Sequence, residues 1–277
     1  METNNITYII NEKEFTFSYS GEMEKGKVET LLSRDENLLK NTPWDELGYT
    51  IQDFLSEDDN KELRNVVTHV MRGLIEACGG KTDSEFTLEK YHTYVNDDIH
   101  LSISKSIKDG WKNEDFPFDL AKINKRLSEI LNQPVSTVAE DKNINDFYLR
   151  IVRPSCLQDN NPPHRDVWLD RLRNAINIYF PICGSTLDSA LPLLPGSHKY
   201  KESDLVRTSE GAVLNNTKYT VPCVISINGE PLKMVRPNPS ENEVMVFSPY
   251  LVHGGGYNTN EDTTRISLEM RFWKVNK

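Results

Sequence analysis

Two histidines and an aspartate stand where they can bind one metal ion. His164 and Asp166 follow the Pro-rich sequence NNPP, and in an extended chain residues i and i+2 point to the same side. His253 ends the apolar run VMVFSPYLV and precedes three glycines, which permit close backbone approach. Two histidines and one carboxylate form the facial set typical of non-haem Fe(II), with positions left open for further ligands. We therefore predict this metal site, although His164 and Asp166 alone also fit a surface pair.

An arginine follows the second histidine on a strand-like segment. In TTRISLEMRFW, strand alternation places Arg265, Ser267, Glu269 and Arg271 on one face. The planar guanidinium of Arg265 suits a buried carboxylate, and the Ser267 hydroxyl can add a hydrogen bond. We predict that Arg265 and Ser267 bind the distal carboxylate of 2-oxoglutarate. The alternative is an exposed polar face on an edge strand.

Three further residues are candidates for the pocket. Tyr148 and Arg150 alternate on the strand-like run FYLRIVRP, so both can face the metal. We predict that Tyr148 contributes to the 2-oxoglutarate site and Arg150 to the substrate site; the alternative is that both face solvent. Trp168 shares the parity of His164 if that strand continues, and we expect it to wall the substrate pocket, with core packing as the alternative. No catalytic residue beyond the metal ligands is predicted.

The elements that position these residues follow from apolar periodicity. A helix is predicted from Ser56 to the stop signal Gly79–Gly80, and another from about residue 119 to 132. The segment between them is ambiguous. After about residue 146 come strand-like runs separated by turn residues, namely FYLRIVRP, NAINIYFPI, YTVPCVISI, EVMVFSPYLV and RISLEMRFW.

We therefore predict a mainly β chain with helical flanks (α+β). Its core is a sandwich or barrel of strands. The predicted organisation is an N-terminal extension over 1–47 and one domain over 48–277, with a helical part at about 48–140 and a β core at about 146–277. The extension carries short alternating stretches that can form an added hairpin or strand.

Composition excludes some functions. The formal net charge of −10 disfavours a general nucleic-acid or anionic-membrane surface, which needs clustered Lys and Arg. The four cysteines lack CxxC spacing, so we expect free thiols in a reducing compartment. No apolar run is long enough to span a membrane, and the N-terminus lacks a signal-peptide pattern. We expect a soluble cytoplasmic protein that binds no membrane.

The order His164-x-Asp166, His253, Arg265-x-Ser267 resembles the Fe(II)- and 2-oxoglutarate-dependent dioxygenase superfamily. Within it, LPLLPGSHKY at 191–200 and GYTIQDFLSEDDNKELR at 48–64 are similar to the phytanoyl-CoA dioxygenase-like branch. The resemblance spans about residues 48–277. It implies a double-stranded β-helix (jelly-roll, cupin-like) core with N-terminal helices packed on one sheet. It also implies Fe(II), 2-oxoglutarate and O2, and oxidation of a small-molecule C–H bond with release of succinate and CO2.

Two other functions remain open. Arg265 and Arg271 are six residues apart, a spacing similar to that of nucleic-acid demethylases in the same superfamily. The acidic charge opposes that function, and so does the absence of a basic stripe. A non-catalytic cupin-like module that binds metal or ligand is the second alternative. The sequence identifies neither the substrate nor the oligomeric state, and it does not separate hydroxylation from desaturation or ring formation.

Overall fold

The computed structural model describes residues 4–27, 29–33, 36–110, 115–138 and 147–275. Its helices are α1 (Glu57–Ala77), α2 (Tyr91–Tyr94), α3 (Asp97–Gly110) and α4 (Leu120–Leu131). Its strands are β1 (Asn4–Ile10), β2 (Lys13–Ser20), β3 (Met23–Lys25), β4 (Tyr49–Asp53), β5 (Val135–Ser136), β6 (Phe147–Val152), β7 (Ala175–Cys183), β8 (Leu205–Thr208), β9 (Ala212–Leu214), β10 (Thr217–Tyr219), β11 (Val224–Ile227), β12 (Leu232–Met234), β13 (Glu243–Phe247) and β14 (Arg265–Lys274).

Both predicted helices form, and local chemistry sets their ends. The Ser56 side chain accepts a hydrogen bond from the Asp59 backbone N–H and so caps α1. Asp119 caps α4 through the Ala121 N–H, and Asn132 ends that helix in the left-handed conformation at φ 51°. The stretch that the sequence left ambiguous contains α2 and α3.

The larger sheet runs in the order β4-β13-β7-β14-β5, and β6 also pairs with β14. All of these pairings are antiparallel. The apolar face of β14, formed by Ile266, Leu268, Met270 and Phe272, belongs to one buried cluster with residues of the helices. Burial of this face against the helices leaves the other face of the sheet free to line a site.

The remaining strands form sheets in the orders β10-β9-β2-β1-β12 and β11-β8-β3. Together with the larger sheet they curl into the predicted jelly roll, and the helices pack on one sheet as expected. The predicted strand YTVPCVISI is interrupted, because β10 ends at Tyr219 and β11 begins at Val224. Pro222 lies between them and has no N–H to donate to a ladder.

The segment predicted as an N-terminal extension contributes β1 and β2 to the five-stranded sheet β10-β9-β2-β1-β12. β1 pairs antiparallel with β2 and parallel with β12, and the buried Tyr8 donates a hydrogen bond to the Val224 carbonyl. The domain boundary at residue 47 stays a prediction. Within the described ranges, none of the helices is both long and apolar enough to cross a bilayer.

Leu63 and Leu101 offer a matched test of the helix packing, because Leu63 is fully buried on α1 and Leu101 is 54% exposed on α3. We expect Leu63→Ala to lower the free energy of unfolding by about 2–5 kcal/mol, since it removes buried methyl groups and leaves a cavity. Leu101→Ala should change it by less than about 0.5 kcal/mol. Urea denaturation followed by circular dichroism measures both, and equal losses would contradict the packing described.

Candidate active site

The three predicted metal ligands meet at one point. His164 and His253 lie opposite each other, and each backbone N–H donates to the other's carbonyl, at 2.9 and 3.0 Å. Asp166 Oδ1 lies 3.3 Å from His164 Nε2 and 3.7 Å from His253 Nε2. The three side chains are buried, and their ligand atoms all lie within 4.8 Å of one another. The arrangement is that of a facial metal triad.

Backbone contacts orient both imidazoles. Nδ1 of His164 lies 2.8 Å from the Pro162 carbonyl, and Nδ1 of His253 lies 2.9 Å from the Leu251 carbonyl. Since a carbonyl only accepts, each Nδ1 carries the proton, and each Nε2 keeps a lone pair for a metal. Burial lowers the pKa of His253 to about 4. That imidazole is therefore neutral, as a metal ligand must be, at neutral pH.

The two oxygens of Asp166 have different surroundings. Oδ2 accepts hydrogen bonds from Arg271 Nη2 and Asn177 Nδ2, both at 2.9 Å, while Oδ1 faces the histidines. Burial raises the pKa of this carboxyl, but the positive charge of Arg271 and the contacts with the two histidines lower it further, to well below its usual range. The carboxylate is thus ionised and presents one oxygen to a metal. The sequence had assigned neither Arg271 nor Asn177 to the site.

Arg265 and Ser267 lie on the inner face of β14 with unsatisfied polar atoms. They are 1% and 0% exposed, yet Arg265 Nε and Nη1 and Ser267 Oγ have no hydrogen-bond partner among the described residues. The guanidinium lies over the Tyr179 ring, 5.5 Å from its centroid. Buried donors are rarely left unpaired, so this group fits an incoming carboxylate such as that of 2-oxoglutarate.

A second buried guanidinium, which sequence reasoning missed, stands near Arg265. Arg236 is 3% exposed, and its Nη1 also lacks a partner in the described part of the chain, while Nη2 donates to the Tyr257 carbonyl at 2.7 Å. Burial and the charge of Arg265 lower the pKa of Arg236 to about 10. Two buried cations that repel each other favour an anion between them. No motif around MVRPNP had marked this residue.

An open cavity joins the three candidate metal ligands and Arg265. The cavity has a volume of about 520 Å³, which includes the part open to solvent. Arg150, Glu269 and Arg271 line it together with the candidate metal ligands and Arg265. Arg150, predicted to bind substrate, therefore lies at the site. Tyr148 is not among the lining residues, but Arg271 lies over its ring at 5.4 Å. The role of Tyr148 in binding 2-oxoglutarate stays a prediction.

Trp168 does not share the direction of His164 and Asp166. The expectation that the strand continues is wrong, because Asp166–Trp168 is a 3₁₀ turn, which breaks the two-residue alternation. The Trp168 indole donates to Glu202 at 3.2 Å and lies under Arg207. It packs against the buried cluster that contains Tyr8 and Val224. It is not among the residues that line the cavity. These contacts fit the alternative of core packing, and a role for Trp168 in the substrate site stays a prediction.

Comparison of the sequence with models of protein families identifies one family. The sequence model of the family described as Phytanoyl-CoA dioxygenase (PhyH) matches residues 44–267. No protein of curated function matches the sequence.

Among solved structures, EctD from S. alaskensis, determined with 2-oxoglutarate and 5-hydroxyectoine, is 14% identical with TM-score 0.47 over 93% of this chain and 86% of that one. AviO1 from Streptomyces viridochromogenes is 13% identical with TM-score 0.47 over 89% and 97%. The carbocyclase SnoK from nogalamycin biosynthesis is 12% identical with TM-score 0.45 over 91% and 88%.

Gly254 lies beside the metal ligands where a side chain does not fit. Its φ is +105°, and a Cβ would lie 2.7 Å from the Pro162 carbonyl oxygen and 3.1 Å from His164 Nδ1. We expect Gly254→Ala to displace the imidazole and to weaken Co(II) binding at least about tenfold, measured by titration of metal-free protein. Gly229→Ala is the control, because Gly229 has φ +83° with open space around it. Equal Co(II) affinities in the two variants would contradict the contact described.

Proposed function

This chain belongs to the phytanoyl-CoA dioxygenase family, and from that premise we propose that it hydroxylates an unactivated C–H bond of a small molecule, with release of succinate and CO2. It is a non-haem iron oxygenase that depends on 2-oxoglutarate. The observation that carries the proposal is a candidate metal triad in the wall of the same cavity as a buried arginine, Arg265, two of whose nitrogens have no hydrogen-bond partner among the described residues. A metal site alone has no need of that arginine.

The proposed cofactor site uses three atoms for iron: Nε2 of His164, Nε2 of His253 and Oδ1 of Asp166. When bound, Fe(II) with 2-oxoglutarate and O2 supplies the oxidising power for C–H cleavage. Arg265 and Ser267 bind the distal carboxylate of 2-oxoglutarate, and the charge of Arg236 adds to its attraction. These groups hold the oxoacid in one orientation, so that its other end lies at the metal.

The protein also excludes water and holds the metal ligands in place. The Phe247 ring lies edge-on to the His253 ring, with centroids 5.1 Å apart, and it lines the cavity with Leu191. Arg271 and Asn177 hold Asp166 Oδ2, so the carboxylate cannot rotate freely. A ligand set that is oriented before the metal arrives requires less reorganisation when it binds.

The arrangement also bears on the two alternatives. Arg271, the second arginine of the spacing shared with demethylases, donates to the metal-binding Asp166, so the spacing has an explanation within the metal site. We propose a small molecule rather than a nucleic acid as substrate, in line with the formal charge of −10. A cytoplasmic location is part of the proposal; all four cysteines are free thiols. The other alternative is the non-catalytic cupin-like binding module, and the next experiment distinguishes it from an oxygenase.

We expect metal-free protein, given Fe(II) and 2-oxoglutarate without oxygen, to develop a weak visible charge-transfer band. Asp166→Ala should abolish the band, because it removes a metal ligand. Arg265→Ala should keep metal binding and weaken 2-oxoglutarate binding roughly 10- to 100-fold, since it removes a bidentate charged contact. Absorption titration measures the band, and succinate formation in air measures turnover.

Arg126→Ala is the control, since Arg126 lies on α4 with 37% of its side chain exposed and donates to the Asp53 carbonyl. Its titration should match that of the unchanged protein. Metal binding without a band, and without succinate, would instead establish the cupin-like binding module.

A further inference from the structure

The cavity wall contains an ion pair that neither the metal nor 2-oxoglutarate uses. Arg150 on β6 pairs in register with Ser267, and Glu269 follows two residues later on the same face of β14. Both Arg150 and Glu269 line the cavity with the metal ligands. A charged pair at this position contacts whatever molecule lies beside the metal.

The contact between Arg150 and Glu269 is weak. Arg150 Nη2 lies 3.5 Å from Glu269 Oε2, whereas charge-assisted N–H···O hydrogen bonds are usually about 2.7–2.9 Å long. The side chains are 32% and 13% exposed. Arg150 therefore keeps donors that can turn to a ligand.

The carboxyl of Glu269 is ionised at neutral pH. Burial raises the pKa of the Glu269 carboxyl, but the charges of Arg150, Arg271 and Arg265 lower it further, to below its usual range. Glu269 thus offers only hydrogen-bond acceptors, and Arg150 offers only donors. A ligand that satisfies both must carry an anionic acceptor and a separate donor.

The charge of the loaded site favours an anion. Of the described residues that line the cavity, Arg150, Arg265 and Arg271 are cationic, while Asp166 and Glu269 are anionic. Fe(II) and the 2-oxoglutarate dianion cancel each other, so one positive charge is left over. An uncompensated charge in a partly buried site attracts a group of opposite sign.

We propose that the substrate is a small amino or hydroxy acid, whose carboxylate binds Arg150 and whose amine or hydroxyl donates to Glu269. The inference rests on the proposed function and narrows its substrate class. The cavity lining supports it, since only three of the described lining residues are apolar, namely Ile178, Leu191 and Phe247, and Ile178 belongs to the buried cluster shared with the helices. A long acyl chain would find little apolar surface beside the metal.

The test uses the protein loaded with Fe(II) and 2-oxoglutarate. The probes are free α-amino and α-hydroxy acids, each paired with its own primary amide, which keeps the shape and removes the negative charge. Binding is measured anaerobically as a shift of the charge-transfer band, and coupling is measured in air as stimulated succinate formation. Unchanged protein should bind at least one acid roughly tenfold or more tightly than its amide.

Variants then assign the preference to Arg150. Arg150→Gln should lose the preference for the acid over the amide, and Arg150→Lys should retain part of it. Glu269→Gln should weaken binding of the acid, because it removes the carboxylate that accepts a hydrogen bond from the amine or hydroxyl of the ligand. Arg126→Gln, on the exposed side of α4, should match the unchanged protein. Retention of the band in Arg150→Gln shows that the cofactor site still forms in that variant.

The outcomes separate the two proposals. Binding of acids and amides with equal affinity, binding of no acid, or an undiminished preference in Arg150→Gln would overturn the substrate class while the oxygenase assignment stands. Absence of the band in the unchanged protein, before any probe is added, would overturn the proposed function, and the substrate class would fall with it.

Discussion

The buried carboxylate of Asp166 is the constraint around which the site is built. A carboxylate removed from water is costly unless hydrogen bonds and opposite charge compensate it. Here Arg271 and Asn177 satisfy one oxygen, and the other oxygen faces the two imidazoles. The residues that stabilise the charge therefore also orient it. The same contacts would present the free oxygen to the proposed iron.

Strand β14 connects this site to the rest of the fold. Its residues alternate between an apolar face that packs against the helices and a polar face that supplies Arg265, Ser267, Glu269 and Arg271. Its neighbour β7 is buried along its whole length, since helices cover one side and the site covers the other. The helices thus hold the larger sheet in place, and the sheet holds Arg150 in register with the polar residues of β14.

The distribution of charge fits the two proposed ligands, 2-oxoglutarate and a second acid. Arg265, with Arg236 near it, is buried, and two of its nitrogens have no hydrogen-bond partner among the described residues, which suits the proposed contact with 2-oxoglutarate. Arg150 is more exposed and only loosely paired with Glu269, which suits a substrate that enters afterwards. Separate guanidinium groups for the two ligands reduce competition between them.

The sequence by itself determined the chemistry-bearing residues. His-x-Asp, the histidine before three glycines, and Arg-x-Ser on an alternating strand are local patterns, and for Arg265 and Ser267 strand alternation places both side chains on one face. Caps and apolar spacing likewise determined α1 and α4. The expected continuation of the strand to Trp168 was wrong, because the 3₁₀ turn at Asp166–Trp168 depends on packing that the local pattern does not contain.

Only the tertiary structure decided which distant groups share the site. The pairing of β6, β7 and β14 brings Arg150, Asn177 and Arg271 to one cavity, and strand register depends on contacts far apart in the chain. Arg236 lies in no motif. It follows β12 of the five-stranded sheet, and the packing of that sheet against the larger sheet brings it close to Arg265. Residue type and spacing thus indicate what chemistry is possible, whereas long-range packing decides which charges act on one another.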